Sequence, residues 1–255
     1  MDQYIKSFEI ISLWDRMDVR WNDVHQDVNV LVGINGAGKT TLLNTMYNYY
    51  HSSLPKELRN SVNGNPVSTP VSFIKSFDIP SESKKKVSPL LVDLERVVLQ
   101  NKDNDSLFNY RMRSINYPEE AERVQARMAH LFSVANAFFS ETGKTLEIDK
   151  NTNLLVFRLM DKSVISMDKL SAGEKQLLLI LITIFLQDEK PYILLMDEPE
   201  LSLHISWQDK LISTLRELNP NCQLIISTHS PSIFANGWES QLVFMDEITS
   251  SNNNV

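Results

Sequence analysis

Four short stretches of the chain carry residue types whose spacing suits phosphate chemistry. Gly33-Ile34-Asn35-Gly36-Ala37-Gly38-Lys39-Thr40 fits G-x-x-x-x-G-K-[ST], between an apolar run that reads as a strand and a segment that reads as a helix. Glycines let the backbone wrap an anion, so that successive N–H groups and a helix N-terminus point at it. Lys39 would reach the β- and γ-phosphates of a nucleotide, and Thr40 would offer its hydroxyl to Mg²⁺. Gly33, Asn35, Gly36, Ala37, Gly38, Lys39, Thr40 and Thr41 are therefore the expected ATP-binding set.

Residues 193–198 (ILLMDE) form an apolar strand that ends in two carboxylates. Asp197 would hold Mg²⁺ through water, and Glu198 would orient or deprotonate the attacking water. Residues 225–231 (IISTHSP) end a second apolar strand in His229. One histidine alone is more often structural. At the C-terminal edge of a parallel sheet beside the other two motifs, it reads as a γ-phosphate sensor. The fourth stretch is Ser171-Ala172-Gly173-Glu174, which opens a helix whose residues 177–186 are wholly apolar. Its N-terminus suits an anion, and Ser171 with Glu174 also fits a capping box.

The elements that must position these residues follow from periodicity and turn chemistry. Strands are expected at residues 4–13, 17–21 and 28–32, then a helix at 39–51. Residues 61–70 read as a loop, 71–79 as a strand and 80–89 as a polar, basic loop. Helical spacing recurs at 90–100 and 119–140, and short strands at 146–148, 154–159 and 163–166. From residue 172 the order is regular: helix 172–186, strand 192–196, helix 205–218, strand 223–227, short helix 231–236 and strand 241–245. Residues 250–255 read as a disordered tail. Alternation of β and α implies a mostly parallel sheet covered on both faces.

Composition narrows the class. The 255 residues are 42% hydrophobic and 22% charged, as in a soluble domain, and a net charge of −7 argues against a general polyanion-coating role. The single cysteine, Cys222, excludes an intramolecular disulfide and a multi-cysteine metal site and suits a reducing compartment. No secretory signal is visible in residues 1–13. The longest apolar run, residues 177–186, is about half of the roughly 20 residues that a membrane span needs. Basic residues cluster at Lys84, Lys85 and Lys86 and at Arg111, Arg113, Arg123 and Arg127. They offer a DNA or RNA contact or, more commonly, a solvated charged face. Asp246 and Glu247 read as a solvated strand end rather than a metal site.

Taken together, the motifs resemble the ATP-binding-cassette (ABC) ATPases. In that family a Leu-Ser-Gly-Gly-Gln-like signature opens a helix and caps the ATP held by a second subunit. Leu170-Ser171-Ala172-Gly173-Glu174 is similar to it, with Ala172 and Glu174 as departures. The resemblance implies that Ser171, Ala172, Gly173 and Glu174 meet the γ-phosphate of the facing protomer. Transport subunits usually follow the catalytic glutamate with Pro-Thr and end the next loop in aspartate, where this chain has Glu200 and His204. It looks more like the soluble branch, which includes the RecF, Rad50 and SMC heads and the overcoming-lysogenization-defect and Septu-type ATPases of phage defence. The resemblance covers residues 4–51 and about 145–245. No Q-loop glutamine is assignable, since Gln100 follows a segment that reads as helix. The stretch between Lys39 and Ser171 is too short for a coiled-coil arm, and the stretch after Asp197 too short for an added nuclease domain.

The expected fold is thus α/β, a P-loop NTPase of ABC-ATPase type in one domain. Its mostly parallel core sheet carries helices on both faces, with an N-terminal antiparallel β subdomain and a helical insertion. Residues 1–51 and 144–249 form the nucleotide-binding core and 52–143 the variable insertion. The implied function is Mg²⁺-dependent ATP hydrolysis in a head-to-tail homodimer that controls a separate effector, in the cytoplasm and in phage defence. DNA repair or recombination is the near alternative. A transporter's nucleotide-binding subunit and a scaffold that binds ATP without turnover are the others.

Overall fold

A computed structural model describes residues 1–75, 88–99 and 106–251. In chain order its strands are β1 (Phe8–Leu13), β2 (Met17–Trp21), β3 (Val28–Val32), β4 (Val62–Gly64), β5 (Val71–Ile74), β6 (Lys144–Ile148), β7 (Leu155–Leu159), β8 (Val164–Ile165), β9 (Tyr192–Asp197), β10 (Cys222–Ser227), β11 (Leu242–Phe244) and β12 (Thr249–Ser251). The helices are α1 (Lys39–Tyr50), α2 (Pro89–Val98), α3 (Leu107–Asn116), α4 (Ala121–Phe139), α5 (Ala172–Phe185), α6 (Ile205–Leu218) and α7 (Met245–Ile248).

β3, β9 and β10 read VNVLV, YILLMD and CQLIIS, without the polar alternation of a half-exposed strand. Such runs belong to strands covered on both faces, as parallel sheets require. They sit inside a parallel sheet of order β11-β3-β10-β9-β5. Because successive side chains point to opposite faces, the sheet feeds two cores. Val30, Leu194, Met196, Leu224 and Ile226 pack with residues of α2, α4, α5 and α6 on one face. Leu31, Ile193, Leu195 and Ile225 pack with Leu42, Leu43 and Met46 of α1 on the other. That second core also takes Phe8, Ile10, Val19 and Trp21 from an antiparallel sheet of order β12-β2-β1-β4. A third sheet, β6-β7-β8, is antiparallel. α5 is apolar on nearly all sides, and a helix of that kind must be enclosed; residues 176–182 are buried without a break. Among the described residues no helix is long and apolar enough to cross a membrane.

The α/β architecture, the N-terminal antiparallel sheet and the helical insertion are as expected, and four local expectations are corrected. The loop assigned to 61–70 contains β4, which pairs with β1 from Ile10↔Val62 to Phe8↔Gly64. α3 was not expected; only Leu107 and Tyr110 of its ten residues are buried. The short helix at 231–236 is a single 3-10 turn, Pro231–Ile233. Ser250 and Ser251, read as tail, belong to β12 and pair with Asp18 and Met17. Residues 252–255, Gln100, the basic run Lys84 to Lys86 and the far end of the strand expected at 71–79 lie outside the described residues.

Three of the arginines read as a basic cluster do share a surface, but they face carboxylates. The Asp188 side chain, 9% exposed, lies 2.7 Å from Arg123, 3.3 Å from Arg127 and 3.5 Å from Arg113, and accepts the Tyr110 hydroxyl at 2.9 Å. Arg113 also meets Glu120 and Arg127 meets Glu189. Arg111 stands apart and donates to the Asn153 carbonyl. The network fastens α3 and α4 to the turn that leaves α5. Burial pushes the Asp188 carboxyl up, yet bonds from Tyr110 and Arg123 and the nearby arginine charges outweigh it and hold the pKa below its ordinary 3.8. A carboxylate depressed in this way contributes stability above its unfolded pKa and loses it as pH falls through the folded one. Asp188→Asn is expected to cost about 3 kcal/mol near neutral pH and to flatten the loss of stability below pH 3.8. Urea unfolding of both proteins across the acid range measures this, and equal acid limbs would contradict it.

Candidate active site

Strand order brings the chemistry together. β10 lies between β3 and β9, with Leu31 opposite Ser227 and Ser227 opposite Asp197. The loop after β3, the Asp197–Glu198 pair and the Thr228–His229 turn therefore leave the same sheet edge side by side, where parallel α/β sheets hold their ligands.

In the first loop Gly36 (φ 79°) and Gly38 (φ 99°) are left-handed, a conformation that side chains disfavour. Gly38 is the N-cap of α1 and supplies no side-chain acceptor, so the helix presents its first N–H groups to the loop. Lys39 is only 4% exposed. Its ammonium donates to the carbonyls of Gly33 at 2.9 Å and Ile34 at 3.2 Å and lies 2.8 Å from His229 Nε2. Since an ammonium only donates, Nε2 must be the unprotonated acceptor and the imidazole neutral. Glu198 Oε1, at 3.4 Å from the same nitrogen, is then a neighbour and not a hydrogen-bond partner. Burial lowers the Lys39 pKa, and the charges of Glu198, Asp197 and Glu200 offset this only in part. A buried cation held by neutral acceptors beside free helix N–H groups is a fitting place for a polyanion.

Asp197, itself buried, accepts from Thr40 Oγ1 at 3.0 Å and Ser227 Oγ at 2.5 Å. A threonine hydroxyl against a strand-end carboxylate is a hard oxygen pair of the kind Mg²⁺ takes alongside phosphate oxygens. Glu198 adopts φ 46°, left-handed for a non-glycine residue, and its N–H is held by the Ser227 carbonyl at 3.0 Å. Strain of this sort persists where surroundings over-determine it, commonly at working residues.

These groups border a cleft of about 370 Å³ lined by Trp14, Asn35, Gly36, Gly38, Lys39, Thr40, Thr41, Glu198 and His229. Gly33 and Ala37 do not line it, although Gly33 serves it through the bond to Lys39. A larger, mostly apolar cleft of about 560 Å³ lies between α3 and α4 and takes no residue from the motifs. Trp14, half-exposed and left-handed in the turn between β1 and β2, was not anticipated. Its ring closes on Gly38, where an added Cβ would sit 3.4 Å away. A tryptophan in a tight turn with nothing to bury against was the available signal.

The four residues at the start of α5 divide. Ser171 and Ala172 are exposed, whereas Gly173 and Glu174 are buried in their own chain. A Cβ on Gly173 would fall 2.1 Å from the Ser202 carbonyl, so the glycine admits its own backbone and not a ligand. Glu174 completes the capping box with Ser171 and takes bonds from Thr142 and Lys144, both at 2.8 Å. Burial pushes its pKa up, but the bonds from Lys144, the Ser171 N–H and Thr142 bring it below the usual glutamate value. Of the four residues expected at a facing nucleotide, Ser171 and Ala172 are exposed, and Gly173 and Glu174 make contacts within their own chain. Asp246 and Glu247 are exposed, and among the described residues no cluster of three ligating side chains could hold a metal.

Fold and site together define an α/β P-loop domain with the residues of a nucleotide-binding cleft. The family model described as "AAA domain, putative AbiEii toxin, Type IV TA system" matches residues 75–235, and the chain belongs to that family. The Retron Vc95 probable ATPase of Vibrio cholerae serotype O1 biovar El Tor is 23% identical over 257 residues, covering 96% of this chain and 45% of that protein. The Retron Ec83 probable ATPase of Escherichia coli is 30% identical over 125 residues, covering 38% of this chain and 23% of that protein. The chain thus spans less than half the length of these curated relatives. Among solved structures, the Smc head bound to the C-winged helix domain of ScpA aligns with a TM-score of 0.54 at 13% identity over 91% of each chain. Stu0660 of Streptococcus thermophilus aligns with a TM-score of 0.50 at 12% identity, over 89% of this chain and 70% of that one. At such identities the likeness is one of fold.

Any ligand that fills the cleft must cover Trp14, while Trp21 and Trp207 are buried at 2% and 3% exposure and Trp238, half-buried, does not line the cleft. Adding Mg·ATP is expected to change the intrinsic tryptophan fluorescence of the wild type, and Trp14→Phe is expected to remove most of that change. An equal change in both proteins would place the ligand elsewhere.

Proposed function

We propose that the chain binds ATP with Mg²⁺ and hydrolyses it, and that two copies close head to tail around the nucleotide to control a separate effector in antiviral defence. The observation that carries this is the convergence of Lys39, Glu198 and His229 on one cleft, at 2.8 and 3.4 Å from the His229 Nε2. Residues 33–41 cradle the phosphates, with Lys39 as the cation that meets them. Thr40 and Asp197 hold the metal, which when bound neutralises charge on the β- and γ-phosphates. Glu198 accepts the proton of the attacking water. In the free protein Lys39 occupies the His229 lone pair at Nε2; once the ammonium turns to a phosphate, the neutral ring exchanges its proton from Nδ1 to Nε2 through solvent, and the Nε2–H donates to a γ-phosphate oxygen.

The pairing of two copies is supported by the exposed Ser171 and Ala172 at the head of α5 and by the likeness to SMC heads. Two relatives named as retron ATPases support defence over repair. We read the chain as one domain acting in the cytoplasm. The insertion is the place for partner recognition; with Arg113, Arg123 and Arg127 committed to Asp188, Glu189 and Glu120, a protein partner suits it better than nucleic acid.

Lys39→Ala is expected to weaken ATP binding by about tenfold to a hundredfold, as loss of a charged hydrogen-bond donor does. Glu198→Gln is expected to bind ATP normally and to lower turnover by about a hundredfold or more. Wild-type turnover in Glu198→Gln would remove the proposed base. Native mass spectrometry of Glu198→Gln tests the pairing: addition of ATP should double the mass, and an unchanged monomer would contradict the head-to-tail arrangement.

A further inference from the structure

Glu200 lies beyond the two carboxylates at the end of β9 and plays no part in the mechanism above, yet its residue is only 8% exposed. It sits in the 3-10 turn Pro199–Ser202. One oxygen, Oε1, accepts two bonds from the turn after β10: the Thr228 hydroxyl at 2.6 Å and the His229 backbone N–H at 2.7 Å. The other, Oε2, is buried and has no partner among the described residues. A buried carboxylate oxygen without a donor costs stability, so the residue is not explained by stability alone.

The turn that carries Glu200 is itself clamped. Gln176 of α5 donates to the Pro199 carbonyl at 3.2 Å and accepts from the Ser202 hydroxyl. The Ser202 carbonyl fills the space left by the missing side chain of Gly173. On the other side Gln208 of α6 donates to the Leu203 carbonyl at 3.0 Å and the Glu200 carbonyl at 3.3 Å, while its Oε1 accepts from Ser230 Oγ at 2.6 Å. His229 is thus held from both flanks, by Glu200 at Thr228 and its own N–H and by Gln208 at Ser230. Its side chain is 38% exposed at the cleft, where the Lys39 ammonium meets it.

We propose that Glu200 is a positioning residue that holds the Thr228–His229 backbone so that the imidazole points at Lys39 and the nucleotide. The proposal rests on the role given to His229 above. What matters is the acceptor Oε1, which an amide oxygen can supply and a methyl group cannot.

The test follows kcat, the dissociation constant of a fluorescent ATP analogue and the His229 imidazole proton resonance, identified by its absence in His229→Ala. In Glu200→Ala, kcat should fall about tenfold or more, as loss of a buried acceptor with two donors implies, with nucleotide affinity near wild type and the His229 resonance shifted. Glu200→Gln should keep kcat within about threefold and leave the resonance in place. In the His229→Ala background Glu200→Ala should add little, because residues that act as a unit are not additive. Additive losses, a Gln variant as poor as the Ala variant, or an unmoved resonance in Glu200→Ala would each overturn the proposal. If Glu200→Ala does not fold, Thr228→Val removes one of the two donors and should shift the same resonance and lower kcat; no change in either would overturn it too. A shifted resonance in a chain that turns over no ATP would uphold the positioning role and reject the hydrolytic one.

Discussion

The parallel pairing of β3, β10 and β9 is the constraint on which the rest of this structure depends. All three strands are covered on both faces, by α1 and the antiparallel sheet on one side and by α5 and its neighbours on the other. Their central residues are apolar, the buried Asn29 and Gln223 near their N-terminal ends bond to backbone, and the polar groups of the cleft follow their C-terminal ends. Parallel register then collects three such ends on one edge. Leu31, Ser227 and Asp197 stand side by side across the sheet, and the segments that follow them supply the lining of the cleft apart from Trp14.

That edge contains groups that the fold tolerates because its surroundings fix them. Lys39 is a buried ammonium on carbonyls and an imidazole, Glu198 has a left-handed backbone, and Glu200 has an oxygen without a donor. Each is costly in isolation. Left-handed residues and buried polar atoms without a partner also occur elsewhere in the fold, and at this edge they stand together beside the cleft.

α5 runs between this edge and the helical insertion. At its start, the capping box joins Glu174 to Thr142 and Lys144, while Gly173 admits Ser202. Beyond its end, Asp188 gathers Tyr110 of α3 and the arginines of α3 and α4. The departure of Glu174 from a glutamine-type signature has a local cause: the carboxylate forms an ion pair with Lys144 inside its own chain. Glycine at 173 likewise answers an internal contact, the close approach of the Ser202 carbonyl.

Much of the site was legible because its signals are local. The phosphate loop needs glycine where φ is positive, strand interiors need apolar runs, and α6 was bounded at Ile205 and Leu218 by periodicity alone. Short-range physics determined the P-loop, the two strand-end motifs, the α/β class and the burial of α5. Tertiary contact decided what no local pattern records. β4 and β12 are strands only because β1 and β2 offer them partners, and three arginines that read as a basic face are neutralised by carboxylates distant in sequence. Trp14 reaches the cleft only because β1 and β2 pack beside Gly38, and Glu200 meets His229 only because β9 and β10 are neighbours. Local sequence determines backbone preference and burial, whereas pairing depends on which distant segment the fold brings alongside.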